Sequence, residues 1–258
     1  MKSQIKITGL VLALTLILSG CATNTVKDSL KDTVKEIKDT TSQTLTKISV
    51  KTNIGDNPRD PLEGFNRVMF NFNDAIDQAV LKPTAKAYRA VLPSFVQTGI
   101  SNFFGNIGDV WTAVNDLLQG KVAEGVTDVM RVAVNTTFGL GGVIDIGSAA
   151  GMQKHREDFG QTLGTWGVKS GPYLVLPLLG PSTLRDAVAT PVDYKGDLWS
   201  YVTPVKDRNI GTVVRLVDKR ASVLDAGALL EEASLDRYVF LRDAYLQRRA
   251  GQIKAEDD

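Results

Sequence analysis

The stretch "DPLEGFNRVMFNFNDAIDQAV", residues 60–80, decides the fold class. Leu62, Phe65, Met69, Phe72, Ile76 and Val80 recur at spacings of three and four, the period of one apolar helix face. Asp60 stands where an N-cap belongs and Pro61 fits the first helical position. Glu63, three residues after Asp60, completes a capping box. With about 100° of rotation per residue, Asn66, Asn73 and Asp77 line up along one edge of the apolar face. Arg67, Asn71, Asp74 and Gln78 cover the opposite side. A polar line beside an apolar face has two readings. Its side chains serve neighbouring backbone, or the line forms one wall of an amphipathic cavity.

The helical pattern continues outward from this segment, punctuated by Gly and Pro. Helices are predicted over 83–92, over 94–104 with Val96, Ile100 and Phe103 inward, and over 109–119 with Val110, Trp111, Val114, Leu117 and Leu118. Gly120 suits the residue that ends that last helix. Another helix runs over 121–138 with Val122, Val126, Val129, Met130, Ala133 and Val134, into the glycine-rich corner "FGLGGVIDIG". Further helices are predicted over 182–189, 209–225 and 234–249, the last capped by Ser234, with residues 251–258 as a flexible tail. One segment breaks the pattern. "TLGTWGVKSGPYLVLP", residues 162–177, reads as two short extended runs around Lys169-Ser170-Gly171. Pro172 and Pro177 confine it to an edge or a loop, and it must lie on the helices to be stable. The fold class is therefore all-α, a helical body over 60–250 with one short β-hairpin loop.

The chain has 258 residues, 43% hydrophobic and 23% charged, with 30 basic against 29 acidic side chains. A net charge of +1 without a basic stripe argues against nucleic acid as a partner. The distribution of charge says more than its total. From 91 to 150 the charged residues are Asp109, Asp116, Lys121, Glu124, Asp128, Arg131 and Asp145, about half the chain's average density; from 159 to 184 Lys169 stands alone. A body so poor in charge is either deeply buried or lies partly in lipid.

The N-terminus favours lipid. Lys2 and Lys6 precede an apolar run over 7–18, followed by Ser19 and Gly20, the pattern of a secretory leader over 1–20. The run is shorter than the roughly 20 apolar residues of a spanning helix. In place of an A-x-A exit stands Leu18-Ser19-Gly20-Cys21, which resembles the lipobox of bacterial lipoproteins. That resemblance implies cleavage before Cys21, the chain's only cysteine, and acylation of its sulfur and new amine. Ala22, rather than Asp, then favours the outer membrane. Residues 21–59, rich in Lys, Asp and Thr, form the lipidated N-terminus and a polar spacer.

Candidates for catalysis are few. His155 is the only histidine; it lies between Lys154 and Arg156 and reads as a surface residue without a partner nucleophile. Gly139, Gly141 and Gly142 lack the preceding strand and spacing of a dinucleotide loop. No Walker A sequence or G-x-S-x-G elbow occurs. One histidine and one lipidated cysteine make a poor metal set. Asp145 and Asp186 read as caps or ion pairs. The sequence therefore points to a non-enzyme without metal or cofactor.

The blocks "DPLEGFNRVMFNFN", "SNFFGNIGDVWTAVNDLLQG", "RVAVNTTFGLGGVIDIGSAAG", "EDFGQTLGTWGV" and "GPYLVLPLLGPSTLRD" occur in an order that resembles the MlaA (VacJ) family over roughly 60–247. The resemblance implies an outer-membrane lipoprotein, lipid-anchored on the periplasmic side of the inner leaflet, that removes mislocalised phospholipid from the outer leaflet. It implies a ring-shaped helical body with an amphipathic central channel, a trimeric porin partner, and delivery of lipid to the periplasmic carrier MlaC. It also implies a gating hairpin, matching Gly167, Val168, Lys169, Ser170, Gly171, Pro172 and Tyr173. Lys169 stands where members of the family usually have glycine, and the spacer before Asp60 is longer than usual.

Joined to the helix over 60–80, this gives a mechanistic expectation. Asn66, Asn73 and Asp77 guide a headgroup, Phe65, Met69 and Phe72 face the tails, and Lys169 meets phosphate near the entrance. A polar strip lowers the cost of taking a charged headgroup out of water. The alternatives from other classes are a structural lipoprotein that scaffolds porins or envelope, and a phospholipase.

Overall fold

The computed structural model describes residues 57–254. The leader over 1–20, Cys21 and the spacer up to residue 56 lie outside the described residues. The rest is helical, with one two-stranded antiparallel hairpin.

Helix α1, Glu63–Ile76, widens into a π-helical turn, Asp77–Leu81, and continues as α2, Lys82–Val91. Two separate helices were expected here. Pro83 has no amide proton for the α-helical ladder, and the wider turn carries the helix past it. The expected capping box at Asp60 does not form: the first turn has no side-chain cap. Asp60 is instead fully buried. Its carboxylate accepts from Asn66 Nδ2 at 2.8 Å, from Arg242 at 3.3 Å and from the Tyr238 hydroxyl. It ties the start of α1 to the last helix rather than to its own backbone.

Residues 94–119 form one helix, α3, Ser94–Gln119, where the glycines at 105 and 108 had suggested a break. Packing overrides their low propensity. Gly120 ends it at φ 87°, in the left-handed region that glycine adopts without strain. The chain then folds back as α4, Val122–Phe138. A Cβ on Gly125 would sit 2.9 Å from Leu117 Cγ, so this glycine sets how closely the two helices approach. A short helix α5, Ile146–Ala149, capped by Asp145, and α6, Phe159–Thr165, capped by Asp158, follow.

The hairpin lies one step beyond its predicted place. Residues 162–165, read as strand, belong to α6; residues 166–172 form a loop. The strands are β1, Tyr173–Leu176, and β2, Gly180–Thr183, paired Tyr173 to Thr183 and Leu176 to Gly180. The Asp158 cap supplies the helix start that Thr and Gly composition had hidden. Thr183 then caps α7, Leu184–Gly196, which starts two residues later and runs seven further than predicted. A 3-10 turn, Leu198–Tyr201, leads to α8, Val205–Ser222, α9, Leu224–Ala233, and α10, Arg237–Lys254. Asp236, not Ser234, accepts from the first amides of α10, at Tyr238 and Val239. This helix also takes in the first four residues read as a tail.

Asp186 joins three of these elements. It accepts from Arg249 Nε at 2.9 Å, from the Tyr245 hydroxyl at 2.7 Å and from Arg185, while Arg249 also pairs with Asp158 at 2.7 and 2.8 Å. Burial pushes the Asp186 carboxyl up, but Arg249 and Tyr245 outweigh it and hold the group at about 2. A depressed folded-state pKa contributes stability above the unfolded carboxyl value and loses it as pH falls toward the folded one. The contribution is on the order of 2 kcal/mol, lost on acidification from about pH 4 to pH 2. Replacing Arg249 by Leu leaves Asp186 with Arg185 and Tyr245 alone and takes the cation from the partly exposed Asp158, and should cost about 1–3 kcal/mol. Denaturant unfolding in detergent, followed from pH 7 to pH 2, should show both the acid loss and the deficit in the Arg249→Leu variant at neutral pH.

Candidate functional site

Polar residues occupy the inside of the main helices and apolar residues the outside. In α4 the buried positions are Gly125, Asp128, Arg131 and Asn135. Val122, Val126, Val129 and Met130 are each more than half exposed. In α3, Asn106, Asp109, Thr112, Asn115 and Asp116 are buried while Leu117 and Leu118 are exposed. The exposed apolar surface continues over Phe138, Leu140, Trp166, Leu178, Leu179 and Val188. Trp166 lies against this belt, its indole N–H bonded to the Leu118 carbonyl at 3.0 Å. No described helix is long and apolar enough to cross a membrane.

Several of the buried charges are paired. Arg131, with no exposed surface, donates to Asp145 at 2.9 and 3.0 Å and to the Met152 carbonyl at 2.7 Å. Burial raises the Asp145 carboxyl, but hydrogen bonds from Ser148, Asn135 and Arg131 outweigh it and hold it well below the usual carboxylate range. His155, expected on the surface without a partner, is half-buried with Nδ1 3.1 Å from Asp128 Oδ2.

The polar line on α1 serves the hairpin. Asn66 is fully buried; its Nδ2 donates to the Tyr173 carbonyl at 3.0 Å and its Oδ1 accepts from Val175 N at 2.8 Å. Asn73 repeats this pairing, donating to the Leu176 carbonyl at 2.9 Å and accepting from Leu178 N at 2.7 Å. Seven helical residues rise about 10.5 Å, and three strand residues span about 10 Å. Two asparagines two turns apart therefore match the open edge of β1 and stand in for a third strand. Asp77 is spent on Arg220, at 2.6 and 2.8 Å. Of the backbone and cavity readings of this line, the structure carries out the first, and Asn66 is enclosed by protein. On the apolar side Met69 packs against the Tyr173, Val175 and Tyr238 cluster, while Phe65 and Phe72 remain exposed.

Tyr173, the end of the predicted gate segment, is thus brought against α1. The rest of the segment lies over a different feature. Gly167, Val168, Lys169 and Ser170 border a cavity of about 310 Å³ whose other walls include Arg185 and Arg249. Gly167 (φ 88°) and Gly171 (φ 68°) bracket the loop in the left-handed region. The backbone holds it at Ser170 and Pro172, whose carbonyls accept from Arg185 N and Leu184 N at 3.1 Å. Lys169 is exposed at the rim. Arg185, Asp186 and Arg249 had no motif to mark them; their link joins two helices far apart in sequence.

The MlaA lipoprotein family model matches residues 58–252. The chain is 37% identical over 210 residues to the intermembrane phospholipid transport system lipoprotein MlaA of Escherichia coli, covering 77% of this chain and 82% of that protein. The counterpart from Haemophilus influenzae is 36% identical over 204 residues, with 77% and 80% covered. A solved structure, described as the structural basis for maintenance of bacterial outer membrane lipid asymmetry, superposes with a TM-score of 0.66 at 38% identity, covering 75% of this chain and 98% of that one.

If Asn73 braces the hairpin, Asn73→Ala removes two hydrogen bonds at the turn and should cost about 1–2 kcal/mol locally. Amide exchange at Leu178 should quicken by about tenfold or more, with the overall melting temperature little changed. Unchanged exchange at Leu178 would contradict the brace.

Proposed function

Because the chain belongs to the MlaA lipoprotein family, we infer that it is the lipoprotein of an intermembrane phospholipid transport system and maintains the lipid asymmetry of the outer membrane. The observation in this chain that carries the reading is the inversion of α3 and α4, with paired ions inside and Val122, Val126, Val129 and Met130 outside. Such a face is favourable against acyl chains and unfavourable against water.

The finer parts of the reading are proposals. The body lies in the inner leaflet on the periplasmic side, held by acyl chains on Cys21, each buried CH₂ contributing about 0.8 kcal/mol. Phospholipid misplaced in the outer leaflet passes through the protein to the soluble carrier MlaC, and a trimeric porin covers part of the apolar belt. Transport is passive and runs toward the tighter-binding carrier. The exposed rings of Phe65 and Phe72 support a role in facing acyl tails, with Met69 behind them. Asn66 and Asn73 contribute by holding the hairpin, and Asp77 by its pairing with Arg220. The segment from Gly167 to Tyr173 gates the path, with Gly167 and Gly171 as pivots. Lys169 meets the phosphate at the rim, a role supported by its exposure and by the cavity it borders.

Full-length protein extracted in mild detergent should carry phospholipid in stoichiometric amount, and a deletion strain should accumulate phospholipid in its outer leaflet. A structural scaffold would carry none. Met130→Asp combined with Val126→Asp should leave the fold intact in detergent yet fail to restore asymmetry to the deletion strain. Full restoration by that variant would contradict the placement of α4 in lipid.

A further inference from the structure

The ion pairs around α3 and α4 leave one point without partners. The carboxylates Asp109, Asp128, Asp145 and Glu157 pair with Lys121, Arg131 and Lys154 and with His155. Asp116 and Asp128 have no exposed surface. Both oxygens of Asp116 and Oδ1 of Asp128 are buried without a hydrogen-bond partner. Such groups cost several kcal/mol each if left charged and unpaired. The facing pair thus offers three buried oxygens to a ligand from outside the chain.

The residue types and spacing say which charge fits. One ligand atom each from Asp116, Asp128 and His155 lie within 4.8 Å of one another. Bonds of about 2.0–2.2 Å to oxygen and nitrogen put tetrahedral ligands roughly 3.3 Å apart, so small side-chain rotations would close the set on one ion. Two carboxylates with one imidazole suit a transition ion of the zinc type better than calcium or magnesium, which favour all-oxygen shells. The tight turn at Gly120 brings Asp116 on α3 opposite Asp128 on α4. His155 comes from the segment that leads to the Asp158 cap of α6. The partly exposed imidazole gives the ion a way in.

We propose that Asp116, Asp128 and His155 form a divalent metal site of the zinc class that fastens α3, α4 and the segment before α6. Metal binding links to stability, because a ligand that binds only the folded state stabilises it by mass action. The lipidated full chain, without a polyhistidine tag, is stripped with a chelator in detergent and titrated with ZnCl₂. One equivalent should bind, and zinc at roughly 100 times its dissociation constant should raise the melting temperature by about 5–10 °C. The shift should vanish in His155→Gln, a half-buried position whose replacement the fold tolerates, and in Asp116→Asn. Failure to retain zinc, an unchanged melting temperature in the parent protein, or a zinc shift that survives His155→Gln would each overturn the site.

Discussion

The constraint on which the rest of this structure depends is that polar and charged groups of its central helices are turned inward. Arg131 has no exposed surface, and neither do Asp60, Asp116 and Asp128. In water such burial is unfavourable, since the ions would keep their hydration on the surface. The apolar side chains that would ordinarily fill the interior are displaced outward, from Val122 to Met130 on α4 and from Leu117 to Leu118 on α3. Each Val, Leu or Phe side chain left in water forgoes about 1.5–3 kcal/mol. Exposed apolar groups occur on every protein and need no explanation singly. Here they accompany a polar interior, and a belt of them would outweigh the 5–15 kcal/mol net stability of a typical domain. Hydrocarbon as solvent reverses both costs at once.

The hairpin follows from the same logic. A two-stranded ribbon has two open edges, and unpaired backbone is expensive wherever water is scarce. Asn66 and Asn73 complete one edge of β1 from a helix, with a rise that matches three strand residues. Tyr173 and Val175 then anchor the ribbon in the aromatic cluster with Tyr238, whose ring lies 5.7 Å from Phe70 and 4.5 Å below the Arg67 guanidinium. The loop before it is tied to α7 through the Ser170 and Pro172 carbonyls and to α6 through the Gly167 and Val168 amides, and is bracketed by two glycines.

Much of this was legible in the sequence. The helical class followed from the apolar period of residues 60–80, and the end of α3 from Gly120. Periodicity shows that a helix has two faces; it does not say which of them meets solvent. The apolar stripe of α4 therefore did not reveal that the buried side of the helix is Asp128, Arg131 and Asn135. The hairpin was misplaced because Thr and Gly suggest strand, whereas the Asp158 cap and the Arg249 network impose a helix on 159–165. Asp60 was read as a cap because its position fits one; its partners Tyr238 and Arg242 lie almost the whole domain away. On the line of Asn66, Asn73 and Asp77, the two asparagines bond the hairpin backbone, whereas Asp77 pairs with Arg220. His155 offered no motif, since its partner Asp128 lies on another element.

The most direct test is solvent contact along α4 in a bilayer. Spin labels placed singly at positions 122, 126, 129 and 130 in full-length protein, reconstituted into phospholipid vesicles, report accessibility to oxygen, which concentrates in hydrocarbon, and to a water-soluble nickel chelate. The account predicts high oxygen and low nickel accessibility at all four positions. Strong nickel accessibility along that face would show it bathed in water and contradict the immersion on which the function rests.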